Sequence, residues 1–178
     1  MKTFFFFITF LFLSPIQGTK QAYNFYLENQ SIKYKKVFIV DSLNQSELIS
    51  KLNAYLPTVS GLRNVQFNGD VFTGQIDKLI VNYKKYGGKW ATTWTVLNYP
   101  MNGNLIVQVK DNKYRLIITD IEFISTYPYV VIDFDKDLTK KKGTILTTNK
   151  VALRGLEYLD KFLTDKFTIT KRKVDNNW

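Results

Sequence analysis

The 178-residue sequence contains neither cysteine nor histidine. The missing cysteines exclude disulfide scaffolds, thiol nucleophiles and iron–sulfur clusters. The missing histidines exclude Ser-His-Asp triads, imidazole acid–base catalysis and nearly all structural zinc sites. The sequence also has no glycine-rich phosphate loop, no dinucleotide-binding fingerprint and no helical pair of metal ligands. We therefore predict no cofactor, no metal site and no catalytic residues of these kinds.

Proline and glycine are also scarce, at 4 and 9 residues. This excludes collagen-like, proline-rich and Gly/Ser linker sequences. Apolar residues make up 45% of the chain and charged residues 22%, as in one ordinary globular domain. Because no linker or internal repeat divides the chain, we predict a single domain over residues 32–169, with a lead-in segment at 19–31 and a basic tail at 170–178.

The N-terminus has the pattern of a signal peptide. Lys2 is followed by an almost unbroken apolar run over residues 4–13, and Pro15 then precedes the small residue Gly18. A membrane-spanning helix would need about 20 apolar residues, so a cleaved leader over residues 1–18 fits better than an anchor or a short core helix. We predict cleavage after Gly18, with Ala22 as a second candidate, and export to the periplasm or the exterior. No cysteine follows the run, so no lipoprotein anchor is expected.

The mature chain is strongly basic. Removal of Lys2 with the leader lowers the 25 Lys and Arg to 24, against 15 Asp and Glu, which gives a net charge of +9. Scattered lysines are typical of a solvated surface that resists aggregation. If the charge has a partner, we expect an envelope protein or an anionic envelope surface and no nucleic acid, which is scarce outside the cytoplasm.

Residues 19–57 predict a strand followed by a helix. The β-branched and aromatic run at residues 32–40 is typical of a strand, and the lead-in before it either docks weakly or extends a strand. Asn44 and Glu47 have the spacing of a capping box, and leucines then recur on one helical stripe until Pro57. We therefore expect a helix that begins after Asn44 and packs on a sheet.

From Arg63 onward the sequence predicts an antiparallel meander. Asn68 and Gly69 suit a tight hairpin, and Gly74 suggests a bulge in the strand that follows. The last strand is apolar on both sides, so we place it in the centre of the sheet. The strands expected after the hairpin lie at residues 71–83, 90–97, 105–110 and 114–124.

The C-terminal part predicts an insertion and a second helix. Residues 127–134 fit either a strand or a packed loop, and residues 133–142 have the composition of a charged loop. Residues 149–166 place leucines on a helical stripe, with Asn149 or one of the two threonines before it as the cap. The order strand, helix, antiparallel strands, helix predicts an α+β fold with two helices packed on one face of the sheet.

Several of these segments resemble a family of exported bacterial proteins known as a domain of unknown function with a TATA-binding-protein-like (TBP-like) fold. The resemblance covers about residues 35–125. It rests on residues 37–40, which lead into the capped helix at 44–56, on the turn at 68–74 and on the segment 105–123. It implies a curved antiparallel sheet backed by helices, export to the cell envelope, no established activity and no DNA binding.

Five residues are candidates for ligand binding. The three basic ones flank the turn at residues 111–112, where they form either a solvated hairpin turn or a cationic site. The two tryptophans are four residues apart and would point to the same side of a strand, so they either pack in the core or stack on a sugar or base. The candidates are Lys110, Lys113, Arg115, Trp90 and Trp94.

Two groups of acidic residues are candidates for catalysis or metal binding. Asp120 and Glu122 share a strand face and could act as the carboxylate pair of a glycosidase. Asp133, Asp135 and Asp137 copy the first three ligands of a calcium loop. The glycine and the glutamate that an EF-hand needs further along are absent, so a solvated loop is the simpler interpretation.

The sequence therefore predicts a noncatalytic exported binding or assembly domain of the bacterial cell envelope, which uses the sheet face opposite the helices or an edge strand. The alternative is a carboxylate-based hydrolase of envelope glycans.

Overall fold

The core of the structure is a large antiparallel sheet with helices on one side. The structure is a computed structural model that describes residues 20–126 and 129–169. The predicted leader, residues 1–18, and the predicted basic tail, residues 170–178, lie outside the described residues. The strands and helices are, in chain order, β1 (Gln21–Ala22), β2 (Phe25–Glu28), β3 (Ser31–Ile39), α1 (Gln45–Tyr55), β4 (Leu62–Asn68), β5 (Val71–Leu79), β6 (Met101–Lys110), β7 (Lys113–Thr126), β8 (Tyr129–Asp133), α2 (Phe134–Leu138), β9 (Thr139–Lys140), β10 (Ile145–Leu146) and α3 (Lys150–Phe167).

The sheet has a meander topology with β7 near its centre. Within the described residues eight strands pair antiparallel in the order β1-β2-β3-β7-β6-β5-β4, and β8 pairs with the second half of β7. The strands β9 and β10 form a separate hairpin. Since β7 lies between β3 and β6, the prediction that the strand apolar on both sides is central is confirmed.

Three bulges bend the sheet. Each adds one residue with positive φ to a strand: Asn64 in β4 (φ 52°), Lys78 in β5 (φ 52°) and Asp120 in β7 (φ 51°). Bulges bend and twist their strands, so the sheet is curved. The prediction of a bulge at Gly74 is wrong, because Gly74 pairs in regular register with Leu105 and the extra residue belongs to the neighbouring strand β4.

Helix α1 begins at the predicted capping box. The Asn44 side chain accepts a hydrogen bond from the Glu47 N–H at 3.0 Å, and the Glu47 carboxylate accepts one from the Asn44 N–H at 2.9 Å. The buried leucines Leu48 and Leu52 face the sheet. Both partners of the box lie within four residues, so local sequence is sufficient to define this helix end.

Helix α3 packs on the same face as α1, as predicted. Its Asn149 cap accepts a hydrogen bond from the Val151 N–H at 2.9 Å. The buried Tyr114 hydroxyl of β7 donates to the Phe167 carbonyl at 2.6 Å, and Tyr34 of β3 donates to Asp160 at 2.9 Å. Burial raises the pKa of both tyrosine hydroxyls, which therefore act as neutral donors that fasten α3 to the sheet.

The lead-in segment is part of the sheet. Its described residues form β1 and β2, and Phe25 is fully buried, with its ring centroid 5.1 Å from Tyr34 and 5.9 Å from Phe134. The segment therefore extends the sheet beside β3, and the alternative of weak docking is wrong.

The expected strand at residues 90–97 is a pair of turns. The Lys89 carbonyl accepts hydrogen bonds from Thr92 N–H at 3.0 Å and Thr93 N–H at 2.9 Å, which turns the chain back. A short 3₁₀ helix, Thr95–Asn98, follows. Because the backbone is not extended, the expectation that the two tryptophans share a strand face is wrong. Likewise β5 ends at Leu79, earlier than expected.

The predicted charged loop at residues 133–142 contains the short helix α2. Its two apolar residues, Phe134 and Leu138, are one helical turn apart and both are fully buried. Asp133 caps the helix by accepting hydrogen bonds from two following N–H groups at 3.1 Å. Tertiary burial of one helical stripe thus determines this helix, although its composition is that of a loop.

No helix among the described residues has the length and hydrophobicity needed to cross a bilayer.

Candidate binding site

The hairpin between β6 and β7 is held firmly by the loop before α1. Asn112 adopts the left-handed conformation, with φ 60°, as the turn prediction requires. Its N–H donates to the Leu43 carbonyl at 2.9 Å, and its carbonyl accepts from the Val40 N–H at 2.8 Å. The Asp111 carboxylate accepts from the Gln45 N–H at 2.8 Å. These contacts fix the backbone of the turn that Lys110, Lys113 and Arg115 flank.

Lys110, Lys113 and Arg115 come together in one cleft. The cleft has a volume of about 380 Å³ and is also lined by Val37, Asp70, Gln108, Val109 and Tyr114. The three basic side chains lie on the sheet face opposite the helices, because their positions alternate with the buried Tyr114 and Val109. Arg115 Nε donates to the Gln108 side-chain oxygen at 2.9 Å, which orients the guanidinium. The structure therefore brings three of the five candidates together, and ligand binding by them stays a prediction.

The cleft carries excess positive charge. Three cations line it against one carboxylate, Asp70. In the part of the chain that the structure describes, no ion pair within 4.0 Å involves Lys110, Lys113 or Arg115. Lys110 and Lys113 are paired directly across the hairpin, an arrangement that repulsion between like charges disfavours.

Two nearby lysines of β3 differ, because both form ion pairs with one carboxylate. Glu28 of β2 forms ion pairs with Lys35 and, at 3.6 Å, with Lys33. The hydrogen bond from Lys35 lowers the pKa of the Glu28 carboxyl. Glu28 therefore balances part of the positive charge of β3, whereas the described residues place no ion-pair partner at Lys110, Lys113 or Arg115.

Two aliphatic side chains flank the cations. Val37 is 52% exposed and is paired in register with Arg115, and Ile39 is 75% exposed and is paired with Lys113. Sequence reasoning missed both, because residues 37–40 are apolar without alternation and could all have been buried. The signal that could have found them is the period of two from Tyr34 and Phe38, which face the helices.

Trp90 and Trp94 do not join this site. Trp94 is buried, its indole N–H donates to the Asp137 carboxylate at 3.0 Å, and its ring packs against Phe123 and Phe134. Trp90 is 72% exposed. Neither lines the cationic cleft, so the structure divides the five candidates into one cluster of three and two separate side chains.

Asp120 and Glu122 line a second, open groove of about 350 Å³ with Asp77 and Arg63. Both candidate carboxylates are exposed. Asp120 accepts hydrogen bonds from the Asn104 side chain at 2.8 Å and from the Thr119 hydroxyl at 3.0 Å, so it braces the bulge in β7. Glycan hydrolysis by this pair stays a prediction.

The three aspartates of the calcium-like spacing serve three separate structural contacts. Asp133 caps α2, Asp135 accepts a hydrogen bond from the Ile32 N–H at 2.7 Å, and Asp137 accepts from Trp94. Over residues 20–126 and 129–169, no group of three or more carboxylates is arranged to hold a metal ion.

Comparison with known proteins gives matches among solved structures. No family model and no curated protein sequence matches the chain. A crystal structure of a TBP-like protein from Parabacteroides distasonis is 15% identical over 79% of this chain and 92% of its own, with a TM-score of 0.54. A crystal structure of a DUF4468 family protein from Bacteroides ovatus is 14% identical over 78% of this chain and 80% of its own, with a TM-score of 0.47. The likeness to the first structure confirms the fold that the resemblance implied: this chain is an α+β protein with a TBP-like fold.

Proposed function

We propose that this chain is a noncatalytic binding domain of the bacterial cell envelope, exported after removal of its leader, and that the cationic cleft holds an anionic partner. The observation that carries the proposal is the convergence of Lys110, Lys113 and Arg115 in one cleft on the sheet face opposite the described helices. The partner's class is set by charge: an anionic envelope surface, or an envelope protein with an acidic surface.

The repulsion within the cleft supports a binding role. Lys110 and Lys113 face each other across the hairpin, and the cleft offers only Asp70 as a counter-charge among its lining residues. Some lysines elsewhere on the described chain are paired with carboxylates, as Lys35 is with Glu28 and Lys85 with Asp165. An anionic partner would remove the repulsion, since complementary charge favours both encounter and specificity.

The first test measures retention on a bacterial envelope fraction. Changing Lys110, Lys113 and Arg115 together to Gln is expected to weaken cosedimentation of the processed chain with envelopes by about a hundredfold, because roughly 1 kcal/mol is lost per cation near an anionic surface. The side chains are exposed, so the variant keeps its fold, which a thermal melt checks.

The matched control removes the same charge elsewhere. Lys51, Lys89 and Lys150 are also exposed, and they line neither the cationic cleft nor the groove at Asp120 and Glu122. Their replacement by Gln is expected to leave envelope retention within about twofold of the unaltered chain, because long-range charge is screened within about 10 Å. Equal losses in the two triple variants would refute a defined site and leave only a general effect of net charge.

The second test concerns the leader. We propose cleavage after Gly18, because cleavage after Ala22 would remove β1 and the Lys20 carbonyl that accepts the Leu27 N–H at 2.8 Å. The intact mass of the chain recovered from the periplasm or medium of a bacterial host is expected to match a start at Thr19. A mature chain that starts at Tyr23 would contradict the position, and an exported chain that keeps Met1 would contradict the leader itself.

A further inference from the structure

The sheet corner at the β6–β7 hairpin combines cations with exposed aliphatic side chains. We call this set the amphipathic corner: Val37, Ile39, Lys110, Lys113 and Arg115. In-register neighbours on one face of an antiparallel pair lie about 4.5–5.5 Å apart, so each aliphatic side chain stands directly beside a cation. The aliphatic groups and the charges therefore meet a partner together.

The two aliphatic side chains of the corner are exposed and do not pack in the core of the described chain. Ile39 is 75% exposed and Val37 is 52% exposed, whereas Phe38 between them is buried against Tyr114 beneath the helices. Two neighbouring β-branched side chains on the solvent side of a strand expose apolar area that burial would stabilise. A partner that meets this corner gains from covering them.

The position of the corner favours a broad partner surface. Lys110 and Lys113 are the last and first residues of their strands at a tight turn, and Ile39 is the last residue of β3. The set therefore lies at one end of the sheet, where a planar surface can reach all five side chains. The cleft that Val37 and the three cations line has a volume of about 380 Å³, near the small end of ligand pockets and suited to a single headgroup.

We infer that the amphipathic corner docks on an anionic lipid bilayer, with the three cations at lipid phosphates and with Val37 and Ile39 in the boundary between headgroups and acyl chains. This pairing of apolar insertion with electrostatic attraction is how peripheral proteins lie on anionic membranes. Asp70 lines the cleft and opposes the attraction, so the net effect rests on the excess of cations. The inference rests on the proposed function, which it deepens by naming the partner.

Vesicle cosedimentation tests the inference with the processed chain. Vesicles of phosphatidylcholine that contain about one third phosphatidylglycerol are expected to bind the chain, whereas pure phosphatidylcholine vesicles are not, because the attraction needs anionic headgroups. Replacing Lys110, Lys113 and Arg115 by Gln is expected to weaken binding about a hundredfold, at roughly fivefold per cation. Vesicle binding of the triple variant of Lys51, Lys89 and Lys150 is expected to stay within about twofold of that of the unaltered chain, because salt screens distant charges.

A second variant separates lipid insertion from simple attraction to polyanions. Changing Val37 and Ile39 together to Ser is expected to weaken vesicle binding roughly tenfold, because apolar area no longer enters the boundary region. Binding of the same variant to heparin, a soluble polyanion without acyl chains, is expected to be unchanged. Both substitutions are at exposed positions, and an unchanged thermal melt shows that the fold is kept.

Three outcomes would overturn the inference. If the chain does not bind the anionic vesicles, a lipid bilayer is not the partner. Retention on whole envelopes that still depends on the three cations would then indicate a protein or glycan partner, and the proposed function would stand. Equal binding to neutral and anionic vesicles would show that the three cations do not drive membrane binding. Vesicle binding that the change of Val37 and Ile39 leaves untouched reduces the site to a polyanion patch.

Discussion

Replacing Phe134 by alanine is expected to lower the free energy of unfolding by about 3–5 kcal/mol, the usual cost of deleting a fully buried phenyl ring. Phe134 is 0% exposed. Its ring centroid lies 5.9 Å from that of Phe25, 5.8 Å from that of Trp94 and 5.8 Å from that of Phe123. Three distant segments of the chain therefore lose packing at once. Denaturant unfolding followed by tryptophan fluorescence measures the change.

The size of the effect follows from how little else holds α2. The helix has five residues and only two buried side chains, Phe134 and Leu138. Its hydrogen bonds to distant segments run through Asp135, which accepts from Ile32, through Asp137, which accepts from Trp94, and through the Leu138 carbonyl, which accepts from the Thr147 N–H at 2.7 Å. Removing the ring leaves a cavity that these polar contacts cannot close, since neighbouring rings relax only in part.

A second phenylalanine provides the control. Phe67 lies on the edge strand β4, is 43% exposed and contacts Phe72 with ring centroids 4.6 Å apart. Its change to alanine removes the same atoms from a site open to water and is expected to cost less than about 1 kcal/mol. Equal costs at the two sites would show that Phe134 is not part of the core.

Local sequence was sufficient where the partners of a contact are near each other in the chain. The capping box of α1 joins Asn44 and Glu47, three residues apart, and the β6–β7 turn depends on Asn112 in its left-handed conformation. Both were predicted. Helix α2 was not, because the partners that make Phe134 a core residue, such as Phe25 and Trp94, are far away in sequence. Its own neighbours are charged, so its composition is that of a loop.

The same distinction divides the candidate site. The three cations could be predicted because they flank one turn, so their proximity is a local property. Val37 and Ile39 join them only through the register between β3 and β7, which pairs residues about 76 positions apart. The prediction for the two tryptophans is an exception to this distinction. The hydrogen bonds to the Lys89 carbonyl that turn the chain are local, yet the residue types alone favoured a strand.

Replacing Gly155 by alanine is expected to destabilise the protein by about 1–3 kcal/mol, although alanine in a helix interior is normally more stable than glycine by about 1 kcal/mol. Gly155 lies in the middle of α3 against Trp94. A Cβ at this position would lie 2.8 Å from both Cβ and Cε3 of Trp94, well inside the contact distance of about 3.5–4.0 Å between carbon atoms. Denaturant unfolding measures the sign as well as the size of the change.

The change from glycine to alanine destabilises the protein here because Trp94 has no room to move. Its Cβ is fixed to the backbone, its indole N–H donates a hydrogen bond to Asp137 at 3.0 Å, and its ring is packed against Phe123 and Phe134.

Two controls separate helix propensity from the contact with Trp94. At exposed Ser50 in the middle of α1, the alanine variant is expected to be more stable than the glycine variant by about 1 kcal/mol, which measures helix propensity alone. In a Trp94→Ala background the cost of Gly155→Ala is expected to fall by about 0.5–3 kcal/mol, the coupling of residues in contact. If Gly155→Ala stabilises the protein as it does in an open helix, then α3 does not rest on Trp94, and the close approach that joins α3, α2 and β7 is not a property of the fold.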